Sequence, residues 1–168
     1  KGAVFGVDLT TGFRSVLSGP RAGGGSTGST ASLEGAIAVS LNSIDGRALV
    51  LKTTSDAIIN VNLTNGNRTN IGNQTNSTKF ESPRGLALDG LRVLTVDDIR
   101  AAMYSVNSTA QTSLVSSNAF TSGVVDFDIP FDLAFDPNNN RVLVADGSKG
   151  VLSVDLSVSD FTKNRTLL

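Results

Sequence analysis

Apolar and polar positions along the chain recur in short blocks separated by turn residues, not with a helical period. Three arginines open matching apolar runs, Arg47-Ala48-Leu49-Val50-Leu51-Lys52, Arg92-Val93-Leu94-Thr95-Val96-Asp97 and Arg141-Val142-Leu143-Val144-Ala145-Asp146, which predict a strand termed B. Each follows another apolar run, strand A, at Ala36-Ile37-Ala38-Val39, Gly85-Leu86-Ala87-Leu88-Asp89 and Asp132-Leu133-Ala134-Phe135-Asp136. The gaps between A and B, such as Asp136-Pro137-Asn138-Asn139-Asn140 and Asp89-Gly90-Leu91, hold the residues that tight hairpins require. Strand C follows at Ile58 to Leu63, Met103 to Ser108 and Val151 to Leu156, and Val4-Phe5-Gly6-Val7-Asp8-Leu9 fits the same template. A more polar strand D closes each unit, at Phe13 to Ser18, Asn67 to Gly72, Gln111 to Ser116 and Asn164 to Leu168.

These strands form a unit that repeats every roughly 45 to 54 residues. Strands C and D occur four times but A and B three times, so the chain opens on a half unit. Strands A and B are nearly continuous apolar runs, as expected where both sheet faces are covered by neighbouring sheets. Strand D mixes in Arg, Asn, Ser and Thr, as expected of a solvated outer edge. Radially packed blades meet both conditions, and Ala38, Ala87 and Ala134 are expected at one position of strand A where the blades converge.

The expected fold is all-β, a β-propeller segment of about three and a half four-stranded blades within a larger propeller or assembly. Its divisions are 1–34 for the outer half blade and the crossing after it, then 35–82, 83–129 and 130–168 for one blade each. A parallel β-helix has shorter rungs, and a single sandwich does not account for the recurrence of A and B. The stretch from Gly23 to Ser32 is too rich in small residues to form a strand and is expected to cross between blades. It lacks the lysine and strand-to-helix context of a phosphate-binding loop. Because Lys1 to Leu9 already reads as a strand, the chain is expected to be a piece of something longer.

The pattern Pro-x-x-Leu-Ala-x-Asp, then Arg-Val-Leu-Val-x-Asp, then x-x-x-Val-Asp-Leu-x-x-Gly resembles the NHL and YVTN type of propeller repeat, and more distantly the gluconolactonase-like propellers. Pro83-Arg84-Gly85-Leu86-Ala87-Leu88-Asp89 and Val7-Asp8-Leu9-Thr10-Thr11-Gly12 match it most closely. The similarity covers nearly the whole chain, but it implies architecture shared by binders, scaffolds and enzymes, with no catalytic residue to carry over. The second unit departs from it, with Glu34-Gly35 in place of Pro83-Arg84 and Pro130-Phe131, and Lys52 in place of Asp97 and Asp146.

Composition narrows the chemistry. The 168 residues include 17 Gly and 4 Pro, 39% are hydrophobic, and the formal net charge is -1. No Lys/Arg cluster is able to neutralise several phosphates, which argues against a nucleic-acid partner. No run approaches the roughly 20 apolar residues of a membrane helix. The lack of Cys excludes disulfides, thiolate metal sites and Cys nucleophiles. The lack of His removes the commonest general base and metal ligand, and Ser-His-Asp triads with it. Carboxylate chemistry remains, alone or around a hard cation such as Ca²⁺. Richness in Ser, Thr and Asn with few Lys points to an extracellular or cell-surface setting.

The carboxylates to watch are Asp97, Asp98, Asp132 and Asp146, with Glu34 in the equivalent zone of the preceding unit. In the resembling propellers the loop entering strand A and the loop leaving strand B lie on one face near the channel mouth, which implies that these residues converge. Asp97 and Asp146 alternatively cap the B–C turn through their own backbone, the commoner role of Asp at a strand end. Asp126 and Asp128 read as solvated loop residues. Arg84 and Phe131 share one position on that face, so a ligand there meets a cation beside an aromatic ring, a lining suited to a sugar or an anionic group. A surface salt bridge for Arg84 and interblade packing for Phe131 are the plainer alternatives. Six Asn-x-Ser/Thr sequons, at Asn62, Asn67, Asn73, Asn76, Asn107 and Asn164, exceed the chance expectation of about three and are glycosylation candidates.

The expected function is a non-catalytic extracellular or surface module that binds or scaffolds a protein or carbohydrate ligand and requires no cofactor. A Ca²⁺-dependent hydrolase or lactonase of the gluconolactonase-like type is the competing expectation. A third is self-assembly, through open sheet edges that pair with another copy or with a missing part of the propeller.

Overall fold

The computed structural model describes residues 2–20, 26–27, 31–42, 44–72, 80–90, 92–107, 109–118, 125–160 and 164–168. Among them are β-strands and turns, with no helix and hence none long and apolar enough to cross a membrane. The first sheet holds β1 (Val4–Val7), β2 (Arg14–Pro20) and β3 (Ser26–Thr27). The second holds β4 (Ala36–Asn42), β5 (Arg47–Lys52), β6 (Ala57–Asn62) and β7 (Arg68–Gly72). The third holds β8 (Pro83–Asp89), β9 (Arg92–Asp97), β10 (Ala102–Val106) and β11 (Thr112–Ser117). The fourth holds β12 (Pro130–Asp136), β13 (Arg141–Asp146), β14 (Gly150–Asp155) and β15 (Arg165–Leu167). Every pairing is antiparallel between consecutive strands, the meander expected of strands A to D.

Turn chemistry repeats with the strands. Each A–B hairpin contains a residue with positive φ, Gly46 at 61°, Gly90 at 56° and Asn140 at 47°, where only Gly or Asn is easily accommodated. Each strand C leads into an Asp or Asn whose side-chain oxygen accepts the backbone N–H two residues on: Asp8 from Thr10, Asn62 from Thr64, Asn107 from Thr109 and Asp155 from Ser157. The sequons at Asn62 and Asn107 therefore coincide with a turn position that Asp fills in the other two units.

The sheets stack in chain order with an apolar layer at each contact. Ala48, Val50, Ile59 and Val61 of the second sheet lie with Leu33 and Val4 at the first contact. On the opposite face, Leu49, Leu51 and Ile58 meet Leu86, Val93, Tyr104 and Val106 of the third sheet. Ala87, Leu94, Val96 and Met103 then meet Leu133, Val142, Val144 and Leu152 of the fourth. Strands β5 and β9 are thus covered on both faces, which explains their nearly continuous apolar runs. The innermost strands lie side by side, β8 between β4 and β12. A Cβ on Gly85 would lie 2.6 Å from the Cα of Asp132, so this backbone contact requires glycine.

Polar links tie the outer strands to the next sheet. The Ser18 hydroxyl donates to the Gly66 carbonyl at 2.7 Å, and that of the equivalent Ser116 donates to Asn164 Oδ1 at 2.8 Å. Buried Arg165 donates to the Ser117 and Val125 carbonyls and sits 4.8 Å above the Phe127 ring.

Two sequence expectations are corrected. Ser26 and Thr27, inside the segment read as unable to form a strand, pair with Pro20 and Gly19, since a two-residue strand needs only backbone donors and acceptors. Ala38 is not equivalent to Ala87 and Ala134. The register places Ala87 opposite Leu94, Ala134 opposite Leu143 and Ser40 opposite Leu49, two residues beyond Ala38. The β4–β5 hairpin spans from Asn42 to Arg47 as the β12–β13 hairpin spans from Asp136 to Arg141, so the shared register puts Ser40, not Ala38, at the position of Ala134.

Candidate binding rim

Antiparallel order brings the start of every strand A, the end of every strand B and the start of every strand C to one end of its sheet. That end is the rim on which Arg84, Asp97, Phe131, Asp132 and Asp146 all lie. Strand A is bulged there in all three units, between Ala36 and Ala38, Pro83 and Leu86, and Pro130 and Asp132. A bulge leaves a residue unpaired and re-aims its side chain. The residues left out of the register are Ile37, Phe131 and, in β8, both Arg84 and Gly85, with Ile37 48% and Phe131 53% exposed.

Sequence reasoning paired Arg84 with Phe131 but missed Ile37, because a bulge reads as an ordinary apolar strand position. The signal available was the alignment of hairpins from their Arg ends, which puts the three residues in one zone. Asp132 packs against the β8 backbone: a Cβ on Gly85 would lie 2.5 Å from its Oδ1, which accepts the Leu133 N–H at 2.9 Å. The Phe131 ring lies against Gly147, where a Cβ would stand 2.6 Å from Cε2.

Asp97 and Asp146 are buried, and their oxygens are occupied by the protein itself. Asp97 Oδ2 accepts the N–H groups of Glu81 and Ser82 at 2.6 and 3.0 Å, while Oδ1 accepts that of Arg100 at 3.0 Å. Asp146 Oδ2 accepts from the Asp128 and Ile129 N–H groups at 2.8 and 3.1 Å. Its Oδ1 accepts from the N–H groups of Ser148 and Lys149 at 3.0 and 3.1 Å. Each carboxylate thus caps its B–C turn and latches the two residues ahead of Pro83 or Pro130. Burial raises the pKa of Asp146, but the N–H groups of Asp128, Ser148, Ile129 and Lys149 outweigh it and hold the carboxyl below its ordinary value. Lys52 stands at this position in the second sheet, and the latch there is Thr54, whose hydroxyl donates to the Glu34 carbonyl at 2.7 Å.

Arg84 donates through Nε and Nη2 to Asp98 Oδ2 at 2.8 and 2.6 Å. Burial raises the Asp98 pKa, and the Ser82 hydroxyl and Arg84 together bring it below the ordinary value. Asp128, although exposed, accepts the Ser148 hydroxyl at 2.5 Å, and exposed Asp126 stands 3.5 Å from Arg165. Glu34 is exposed. Among the described residues, no three Asp or Glu side chains are grouped to hold a metal ion.

The sequons separate by environment. Asn67 is exposed, Asn62 and Asn107 are half-buried, and Asn73 and Asn76 lie outside the described residues. Asn164 is buried, with Nδ2 donating to the Val115 carbonyl at 3.0 Å, so a glycan on that nitrogen has no space.

No protein-family profile matches the chain, and no curated protein matches it in sequence. Solved structures do. A structure described as a nidogen/laminin complex aligns with TM-score 0.61 and 17% identity over 79% of this chain and 47% of that one. A structural genomics protein from Bacteroides thetaiotaomicron aligns with TM-score 0.65 and 15% identity over 89% of this chain and 41% of that one. An auxiliary nutrient binding protein from the same organism aligns with TM-score 0.61 and 13% identity over 86% of this chain and 40% of that one. This chain therefore spans less than half the length of these structural relatives. At such identities the likeness speaks to architecture, and together with the stacked four-stranded meanders it establishes the chain as a run of β-propeller blades.

Proposed function

We propose that the chain is a non-catalytic binding or scaffold module of an extracellular or cell-surface propeller, in which 35–82, 83–129 and 130–168 each serve as a blade. Its ligand, a protein or a carbohydrate, engages the rim where Ile37, Arg84 and Phe131 emerge. The observation that carries this reading is the bulge repeated at one register of β4, β8 and β12, which turns an aliphatic, a cationic and an aromatic side chain outward on one rim. A sugar face or an apolar protein surface suits the two hydrophobic groups, and Arg84 with Asp132 supplies polar orientation. Occupation of Asp97 and Asp146 by backbone N–H groups favours a binding role over a catalytic one. Two of the structural relatives are described as a nidogen/laminin complex and a nutrient binding protein, which is in keeping with binding on this fold. Asn62, Asn67 and Asn107 are the glycan acceptors retained in this reading.

The test is an NMR titration with a panel of neutral and anionic oligosaccharides, following the Arg84 Nε–H and the Phe131 ring. Shifts confined to the rim and at least a tenfold weaker Kd for Phe131→Ala are expected. Binding that maps elsewhere, or that Phe131→Ala leaves unchanged, removes the rim from consideration. Turnover of lactones or glycosides that depends on Ca²⁺ and is lost in Asp97→Asn would replace the module with the hydrolase.

A further inference from the structure

The first contact in the stack differs from the other two, and the repeat provides its own control. Val39 of β4, Leu86 of β8 and Leu133 of β12 hold one register position, opposite Val50, Thr95 and Val144. Leu86 and Leu133 are 8% and 7% exposed because the inner strands of the preceding sheet cover them. Val39 is 61% exposed, since the first sheet has no inner strands. Ile37, Val39 and Leu41 instead form one wall of an open apolar cleft of about 690 Å³, with Phe5 and Val7 of β1 on the other side.

The β1 backbone forms the edge of this cleft. The Asp8 N–H donates to the Phe13 carbonyl at 2.9 Å, and Gly6 lies opposite Ser15. Antiparallel alternation then turns the N–H and C=O groups of Phe5 and Val7 away from β2, toward the unpaired side. In the other sheets the residues at these two positions are Ile59 and Val61, Tyr104 and Val106, and Leu152 and Val154, and all six lie opposite a strand B.

From these observations we infer that the cleft is an acceptor for one two-stranded β-hairpin of the A–B kind, supplied by polypeptide outside these 168 residues. Its second strand pairs antiparallel with β1. Its apolar side chains, at the positions of Leu94 and Val96, cover Val39 and Leu41. A second copy of this chain lacks a free hairpin of that kind, because each of its A–B hairpins is already paired with its own strand C. The inference rests on the fold, and of the cleft residues it uses only Ile37 is shared with the proposed rim.

The experiment joins a copy of residues 83–99 directly ahead of Lys1, the spacing that continues the third unit's B–C turn into β1. Amide hydrogen exchange is then read at Phe5 and Val7. Exchange at both is expected to slow at least tenfold relative to the 168-residue chain, and to recover when the positions of Leu94 and Val96 in the added copy are changed to Ser. A cyclised peptide of residues 83–99 added in trans to the unmodified chain gives an independent reading, with saturable slowing that Val39→Asp abolishes. Unchanged exchange in both formats overturns the inference. So does protection of Phe5 and Val7 in the unmodified chain that grows with its own concentration, because a second copy is then the occupant.

Discussion

Leu94 and Leu143 form a matched pair that isolates the energy of stacking one sheet on another. Leu94 lies between Ala87 and Ser105 in its sheet, and Leu143 lies between Ala134 and Ser153. Their in-sheet neighbours are chemically identical, so truncation of either removes the same contacts within the sheet. What differs is the cover: Leu94 is fully buried against the fourth sheet, whereas Leu143 is on the face of the fourth sheet that the third does not cover and is only partly buried. Truncation of a fully buried Leu to Ala costs roughly 2 to 5 kcal/mol. Leu94→Ala is expected to stay in that range. Leu143→Ala leaves no enclosed cavity and removes little area from cover, so a loss of about 1 kcal/mol is expected. Equilibrium urea unfolding of the 168-residue chain, with m compared across variants, reads the difference of roughly 2 kcal/mol. Losses equal to within about 0.5 kcal/mol would refute the stacking order, and a larger loss at Leu143 would invert it.

Acid sensitivity follows from Asp146. Its folded pKa lies below the unfolded value, so its contribution is complete above the unfolded value of about 3.9 and disappears as the pH falls through the folded pKa. Asp146→Asn is expected to cost roughly 2 to 3 kcal/mol at pH 7, and the gap to the parent should narrow in urea melts as the pH falls below the unfolded value of about 3.9; a constant gap contradicts the assignment. Gly85→Ala forces a methyl group onto the Asp132 backbone and is expected to cost roughly 1 to 3 kcal/mol, with chemical-shift changes propagating into β12; a neutral Tm would mean that β8 and β12 lie further apart.

Much of the fold was legible in the amino-acid order because strand B is a six-residue apolar run opened by Arg and bounded by turn residues, and all three runs became strands with those bounds. Where it is covered on both faces, as β5 and β9 are, such a strand tolerates few polar positions, so its pattern is nearly free of noise. The polar strand D is harder to bound: its last copy is expected to start at Asn164, but β15 begins at Arg165 and Asn164 is instead a buried link to Ser116 and Val115. Of the candidate rim, Arg84 and Phe131 share one register position, directly after the first paired residue of β8 and β12. Ile37 escaped because its exposure, like that of Val39 and Leu41, follows from the first sheet leaving that face of β4 uncovered, which no local pattern records.

Amino-acid order alone determined the all-β class, the four-strand unit and the chemistry ruled out by the lack of Cys and His, since each depends on residue type or short-range periodicity. Tertiary structure decided which face each strand presents and what covers it. Asp97 and Asp146 became latches once residues about sixteen to eighteen positions earlier folded back onto their oxygens. Val39 became an open wall, while Leu86 and Leu133 at the same repeat position became core. A side chain's environment is set by the neighbouring sheet, and that neighbour lies a whole repeat away along the chain, beyond the reach of any local pattern.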